Sequence, residues 1–176
     1  MNELNIDTYK IDGFRKVCGV ESGDGPYNAW FYTDIDKEIM FSKHSSWVYF
    51  LVVDDEIWKV GETGNVLGVP YVRKNSSQPL PGTKGRLGRY RVGNFASGSD
   101  RLDTDLEIRN EVKPFLAQGS IVEIWAKECP VANVGVTIAG EEVFVGSEIH
   151  KELEMYYLDY MFEAAGRLPK LNKLRK

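Results

Sequence analysis

The sequence predicts an α/β (α+β) domain with a small, mainly antiparallel sheet of three core strands plus an inserted hairpin, flanked by helices. Three observations support this prediction. Two apolar runs, residues 47–53 and 57–62, are separated by a short acidic turn. Residues 120–126 alternate and are rich in β-branched side chains, which is typical of a strand. Two longer stretches, residues 105–117 and 148–165, carry helix signals, so that strands and helices are expected to pack in layers around one core.

The first two runs predict a tight antiparallel hairpin that turns at residues 54–56. A loop of odd length would place Tyr49 directly opposite Lys59, with Cβ atoms about 4.5–5.5 Å apart. An ammonium group beside a phenol lowers the pKa of the phenol, because the cation favours the phenolate. Tyr49 is therefore a candidate general base. The alternative is a half-buried hairpin whose lysine extends to solvent.

The helix predicted over residues 105–117 has a capping box formed by Thr104 and Glu107. Pro114 within it predicts a kink or a break into two segments. A second hairpin is expected at residues 134–138 and 142–145, turning at 139–141.

The last helix is expected to begin after Ser147 as N-cap and to stop at Gly166, with Pro169 beyond it. Its apolar side chains repeat at the spacing of a core-facing stripe. That stripe comprises Ile149, Leu153, Tyr156, Tyr160 and Ala164.

Length and composition indicate one globular domain, since 176 residues can bury a sizeable core. Residues 1–44 form an N-terminal arm with weak strand signals, and residues 45–176 form the domain proper. Two cysteines exclude a disulfide framework and a cysteine zinc site, which favours a reducing, cytoplasmic setting. No apolar run approaches the roughly 20 residues that cross a bilayer, so no membrane partner is expected.

Charge is unevenly distributed although the net charge is only −4. No carboxylate occurs between Glu62 and Asp100, and none occurs after Glu163. The basic residues there are Arg73, Lys74, Lys84, Arg86, Arg89, Arg91, Arg167, Lys170, Lys173, Arg175 and Lys176. A local basic surface, more than a basic total, is what binds phosphate backbones. The two alternatives, a polyanion-binding surface and a solvated loop with a frayed tail, remain open.

Five short patterns occur in a fixed order along residues 47–173. They are Val48-Tyr49, Lys59-Val60-Gly61, Arg86 with Tyr90 four residues later, Glu154, and Pro169 with Asn172. Together they resemble the motifs of the GIY-YIG nuclease superfamily. Trp47 stands where the first motif has a glycine, and Lys59 replaces the tyrosine of the second, as in some restriction-enzyme-like branches.

The resemblance implies a Mg²⁺-dependent DNA endonuclease of restriction or phage type, with Mn²⁺ as an alternative cation. Tyr49 would be the general base and Lys59 its cationic neighbour. Arg86 would hold a phosphate oxygen, Tyr90 would orient water or phosphate, and Glu154 would bind the metal. Arg89 competes with Arg86 for its role, and Glu152 and Glu163 compete with Glu154.

The expected partner is double-stranded DNA, bound by the N-terminal arm and by the loop of residues 64–85, called the basic loop below. A homodimer is compatible with this class. The residues expected to bind DNA are Arg73, Lys74, Lys84, Arg89, Arg91 and Asn172. The alternative function is a catalytically inactive nucleic-acid-binding module on the same fold.

Overall fold

The computed structural model describes residues 4–23, 30–40, 46–64, 67–68, 86–87, 90 and 101–173. Five strands form one antiparallel sheet in the order β2-β1-β5-β3-β4. They are β1 (Arg15–Ser22), β2 (Trp30–Thr33), β3 (Trp47–Val53), β4 (Glu56–Thr63) and β5 (Val122–Glu128). Four helices whose bounds lie within the described residues accompany the sheet: α1 (Asp7–Lys10), α2 (Lys37–Met40), α3 (Arg101–Ala117) and α4 (His150–Ala165). The predicted class, an α+β domain with a mainly antiparallel sheet between helices, is confirmed.

The β3–β4 hairpin forms where the sequence predicted it. Its turn residues Asp54 and Asp55 have φ values of 47° and 66°. Two consecutive positive φ values belong to the turn type whose twist matches that of the two strands. The predicted pairing of Tyr49 with Lys59 is wrong, because Tyr49 lies opposite Gly61 and Lys59 lies opposite Leu51. The physical reason is twofold: the turn Asp54-Asp55 has an even number of residues, which by itself would place Val60 opposite Tyr49, and a register shift between Leu51 and Val52 moves the pairing one residue further, to Gly61.

The described part of the predicted N-terminal arm belongs to the same sheet and core. β1 pairs with β5 and with β2, so that this segment adds two strands to the three predicted ones. Leu4 and Ile6 are buried, and the backbone bonds Ile6 to Asp55 and Ile57 to Leu4 join them to the β3–β4 turn and to β4. DNA contact by this arm stays a prediction.

α3 extends from Arg101 through Pro114 to Ala117 as one helix. The predicted break into two segments is therefore wrong, because the proline lies in the last turn, where little helix remains to be interrupted. The predicted capping box is also wrong, since Thr104 lies inside the helix rather than before it. A cap is a weak local preference, which the rest of the fold can override.

α4 buries a different stripe from the predicted one. Its buried residues are His150, Glu154, Tyr157 and Met161, whereas Tyr156 and Tyr160 are exposed. The predicted N-cap is wrong as well: Ser147 lies in a strand, and Ile149 at the N-cap makes no side-chain cap bond. The predicted stop is confirmed by Gly166, whose φ of 70° ends the helix.

A second two-stranded sheet consists of β6 (Val131–Ile138) and β7 (Glu141–Glu148). It confirms the predicted inserted hairpin. Its turn, Ala139-Gly140, has φ values of 53° and 86°.

Each face of the main sheet covers a separate hydrophobic cluster. The first face carries Tyr49 and Leu51, and α3 packs on it through Ile108 and Val112. The second face carries Phe50 and Val60, and α4 packs on it through Tyr157 and Met161. No helix in the described part of the chain is long and apolar enough to cross a membrane.

Candidate active site

Tyr49 lies on the first face of the sheet and its ring covers the backbone of Gly61 on the edge strand β4. A Cβ built on Gly61 would lie 2.8 Å from Cε1 of Tyr49 and closer still to Cζ and Oη. Only glycine leaves room for the ring at this position. The second short motif, Lys59-Val60-Gly61, therefore contains its glycine because the tyrosine of the first motif packs on it.

The Tyr49 hydroxyl receives two hydrogen-bonding partners from the segment after the basic loop. Arg86 Nε donates to it at 3.0 Å. The Tyr90 hydroxyl lies 2.5 Å away, close for a bond between two hydroxyl groups. The guanidinium also lies over the Tyr90 ring, 5.6 Å from its centroid. Tyr49 and Tyr90 are both fully buried.

The sheet holds Arg86 and Tyr90 in place. The hydroxyl of Tyr32, on β2, donates to the carbonyl of Leu87 at 2.7 Å. Trp30, also on β2, packs against the Tyr90 ring with centroids 5.7 Å apart. Strand β2, from the predicted arm, thus positions Arg86 and Tyr90 against Tyr49.

Burial raises the pKa of Tyr49 above the ordinary value for tyrosine, because the phenolate is poorly solvated there. The charge of Arg86 and the hydrogen bonds from Tyr90 and Arg86 lower it in part, and the charge of Glu154 raises it. The expected net lowering of this pKa by Lys59 is therefore wrong. The principal cation acting on the phenol is Arg86.

Lys59 is buried and lies on the same face as Tyr49, opposite Leu51. Diagonal neighbours on a sheet are about 7–8 Å apart, within reach of a long side chain. Lys59 therefore belongs to the surroundings of Tyr49 although it does not face it directly.

Glu154 is the buried candidate among the three glutamates of α4. It is 6% exposed, whereas Glu152 and Glu163 are both exposed. Its charge acts on Tyr49 and raises the pKa of the phenol, so the carboxylate lies within electrostatic range of that hydroxyl. Burial and this coupling favour Glu154 over the other two as the functional acid.

The donor set around Glu154 is compatible with a hard divalent cation. Among the described residues no cluster of three or more His, Cys, Asp or Glu side chains could hold a metal ion. Mg²⁺ needs no such cluster, since it keeps several waters and binds through one or two carboxylates together with substrate phosphates. A single buried carboxylate whose charge acts on Tyr49 fits that pattern.

Asn172 fastens the C-terminal segment to the edge of the sheet. Its side-chain oxygen accepts from the Val60 N–H at 2.8 Å, and its nitrogen donates to the Val60 carbonyl at 2.9 Å. The backbone N–H of Leu171 donates to the Trp58 carbonyl at 2.8 Å. Asn172 therefore supports the strand that carries Lys59 and Gly61, and DNA contact by its amide stays a prediction.

The described part of the basic tail contacts carboxylates of the protein itself. Each basic side chain from 167 to 173 lies against one acid: Arg167 against Glu56, Lys170 against Glu111, and Lys173 against Glu107. Lys170 also lies 4.0 Å from the centroid of the Trp58 ring. These contacts favour a structural role for this part of the tail over a polyanion-binding one.

The remaining predicted DNA-binding residues, Arg73, Lys74, Lys84, Arg89 and Arg91, lie outside the described residues. Their role stays a prediction. Of the two candidate arginines, Arg86 contacts Tyr49, and Arg89 lies outside the described residues.

Sequence reasoning missed one pair at this site. His150 Nε2 lies 3.4 Å from Glu62 Oε2, and the imidazole is on the buried stripe of α4 one turn before Glu154. The four-residue spacing of a histidine and a glutamate on one helix was the available signal. This signal was missed because the buried face of the helix was predicted from its apolar residues, and His150 and Glu154 are polar.

The fold is similar to two solved nuclease structures. A mutant of bacteriophage T4 EndoII superimposes with a TM-score of 0.54 and 17% identity, covering 97% of this chain and 99% of that chain. The restriction endonuclease HPY188I, solved in complex with product DNA, gives a TM-score of 0.50 and 18% identity, covering 96% and 85%. No protein-family profile matches the sequence, and no curated protein is significantly similar to it. At these identities the similarity establishes the fold.

Proposed function

We propose that this chain is a DNA endonuclease of the GIY-YIG type that hydrolyses phosphodiester bonds and uses Mg²⁺, with Mn²⁺ as a possible substitute. The observation that carries the proposal is the buried Tyr49 hydroxyl with Arg86 and Tyr90 bonded to it and Glu154 acting on it. Similarity of fold to a restriction endonuclease bound to product DNA supports DNA as the substrate.

The proposed reaction begins with Tyr49 as phenolate. Arg86 Nε donates to its oxygen, and the neighbouring Tyr90 hydroxyl becomes a second donor once Tyr49 is ionised, since a phenolate oxygen can only accept; two donors on one oxygen stabilise its negative charge. The phenolate takes a proton from a water molecule, and the resulting hydroxide attacks the phosphorus. The bond from phosphorus to the 3′ oxygen breaks and that oxygen takes a proton from solvent water, while Tyr49 returns its proton to solvent; the products are a 5′ phosphate and a 3′ hydroxyl.

Positive charge at the phosphate is the second requirement of this reaction. A guanidinium has five N–H donors, so Arg86 can hold Tyr49 through Nε and meet a phosphate oxygen through its terminal nitrogens. Glu154 would hold the divalent cation, which would supply further positive charge at the phosphate and offset the carboxylate that raises the pKa of Tyr49. Buried Lys59 adds a cation to the same face of the sheet.

Supercoiled plasmid incubated with the protein tests the proposal. Nicked or linear product is expected with Mg²⁺ and not with EDTA. Tyr49→Phe keeps the packing over Gly61 and removes the base, so cleavage should decrease by about 10²-fold or more while the fold is retained. If the Tyr49→Phe protein cleaves the plasmid at the wild-type rate, Tyr49 is not the base.

The second candidate function is a nucleic-acid-binding module without activity. The acid-free basic segment between Glu62 and Asp100 favours DNA binding whether or not cleavage occurs. This candidate is supported, and the nuclease rejected, if the wild-type protein shifts DNA in a gel but cleaves it in neither Mg²⁺ nor Mn²⁺.

A further inference from the structure

His150 and Glu62 join the helix that carries Glu154 to the strand that carries Gly61. Glu62 lies on β4 immediately after Gly61, opposite Val48, and so on the second face of the sheet. α4 packs on that face. The Nε2 atom of His150 lies 3.4 Å from Oε2 of Glu62, and the two side chains are 11% and 25% exposed.

His150 lies one helical turn before Glu154 on the buried face of α4. Residues four apart on a helix lie on one face, with Cβ atoms about 5–6 Å apart. Both side chains are buried toward the sheet. The first turn of α4 has no side-chain cap bond at Ile149, and the contact between His150 and Glu62 joins this turn to β4.

We infer that His150 and Glu62 form a positioning pair that fixes the first turn of α4 on β4 and thereby sets the position of the Glu154 carboxylate. The inference rests on the proposed function, in which Glu154 holds a divalent cation. Partners that orient a metal ligand typically change metal affinity or activity by 10–100-fold when they are removed. The pair should therefore act on cation affinity more than on the folded state.

The chain provides a matched control for this pair. Glu56, at the other end of β4, contacts Arg167, which follows α4, at 2.6 Å. Glu56 and Glu62 are six residues apart, about 20 Å along a strand. Each glutamate thus connects the same strand to the same helical segment, but only Glu62 does so beside Glu154.

The experiment measures Mn²⁺ binding to the full-length protein without DNA, by the loss of the free-ion EPR signal, and separately the Mg²⁺ concentration for half-maximal plasmid cleavage. Glu62→Ala and His150→Leu are expected to raise the Mn²⁺ dissociation constant and this Mg²⁺ concentration by about tenfold or more. His150→Gln, which keeps a donor toward Glu62, should recover most of the affinity. Glu56→Ala should leave both quantities unchanged.

Unchanged Mn²⁺ affinity in folded Glu62→Ala, or equal losses in Glu62→Ala and Glu56→Ala, would overturn the inference. If His150→Leu does not fold, the comparison of Glu62→Ala with Glu56→Ala decides. Failure of the proposed function looks different: the wild-type protein would then neither bind Mn²⁺ nor cleave DNA, or Glu154→Gln would bind Mn²⁺ as the wild type does.

Discussion

Replacement of Gly61 by alanine should damage catalysis far more than stability. The added Cβ would lie 2.8 Å from Cε1 of Tyr49 and closer to Cζ and Oη. Unbonded carbon atoms pack at about 3.5–4.0 Å, so the ring must move by roughly 1 Å. The Tyr49 hydroxyl would then leave its present distances of 3.0 Å from Arg86 Nε and 2.5 Å from the Tyr90 hydroxyl.

The two consequences have different sizes. Overpacking of a core contact costs about 1–3 kcal/mol of the free energy of unfolding. Displacement of a catalytic group by about 1 Å costs about 10²-fold in rate. The Gly61→Ala protein should therefore remain largely folded in urea titrations while its single-turnover cleavage rate at saturating Mg²⁺ decreases by about two orders of magnitude.

Gly19 on β1 is the matched control. A Cβ there would lie 2.7 Å from Thr33 Oγ1, which is also closer than a normal contact but involves a residue outside the Tyr49 cluster. Gly19→Ala should lose a similar amount of stability and keep its cleavage rate per folded molecule. This prediction is refuted if folded Gly61→Ala cleaves at the wild-type rate, or if Gly61→Ala and Gly19→Ala lose the same amount of rate.

Three further outcomes are expected. Glu154→Gln should abolish plasmid cleavage and retain DNA in gel shifts, because loss of a negative charge cannot weaken attraction to phosphate; normal cleavage would remove Glu154 from the site. Asn172→Ala removes two bonds to Val60 and should lower the free energy of unfolding by about 1–3 kcal/mol in urea, and an unchanged midpoint would contradict this. Burial raises the pKa of Tyr49, so the stability from its protonated form is complete below the ordinary tyrosine pKa of about 10 and is lost as pH increases toward the folded-state value. Unfolding free energies measured at pH 8–11 should therefore decline less steeply in Tyr49→Phe, and parallel curves would exclude this linkage.

Local sequence patterns were sufficient wherever short-range physics decides the structure. The β3–β4 hairpin follows from two β-rich runs with an acidic turn between them, and the end of α4 follows from Gly166. The inserted hairpin β6–β7 is predictable for the same reason. The fold class followed from the order of these elements.

The stripe of α4 shows where sequence patterns fail. Apolar periodicity favoured Tyr156 and Tyr160, yet both are exposed, and the buried stripe includes His150 and Glu154. A buried helix face is recognised in a sequence by its apolar periodicity, and functional polar residues on that face remove this pattern. The sequence motif named Glu154, whereas its burial appeared only once α4 was packed on the sheet.

The sequence by itself determined which residue types form the candidate site, because Tyr49, Gly61, Arg86, Tyr90 and Glu154 occur in recognisable short patterns. Only the tertiary structure decided how they act on one another. The two-residue turn together with a register shift in the hairpin places Lys59 opposite Leu51 and Gly61 beneath the Tyr49 ring. Contacts between distant segments then bring Arg86 and Tyr90 to the phenol. Register and long-range packing depend on the whole sheet, and for this reason no local pattern contains them.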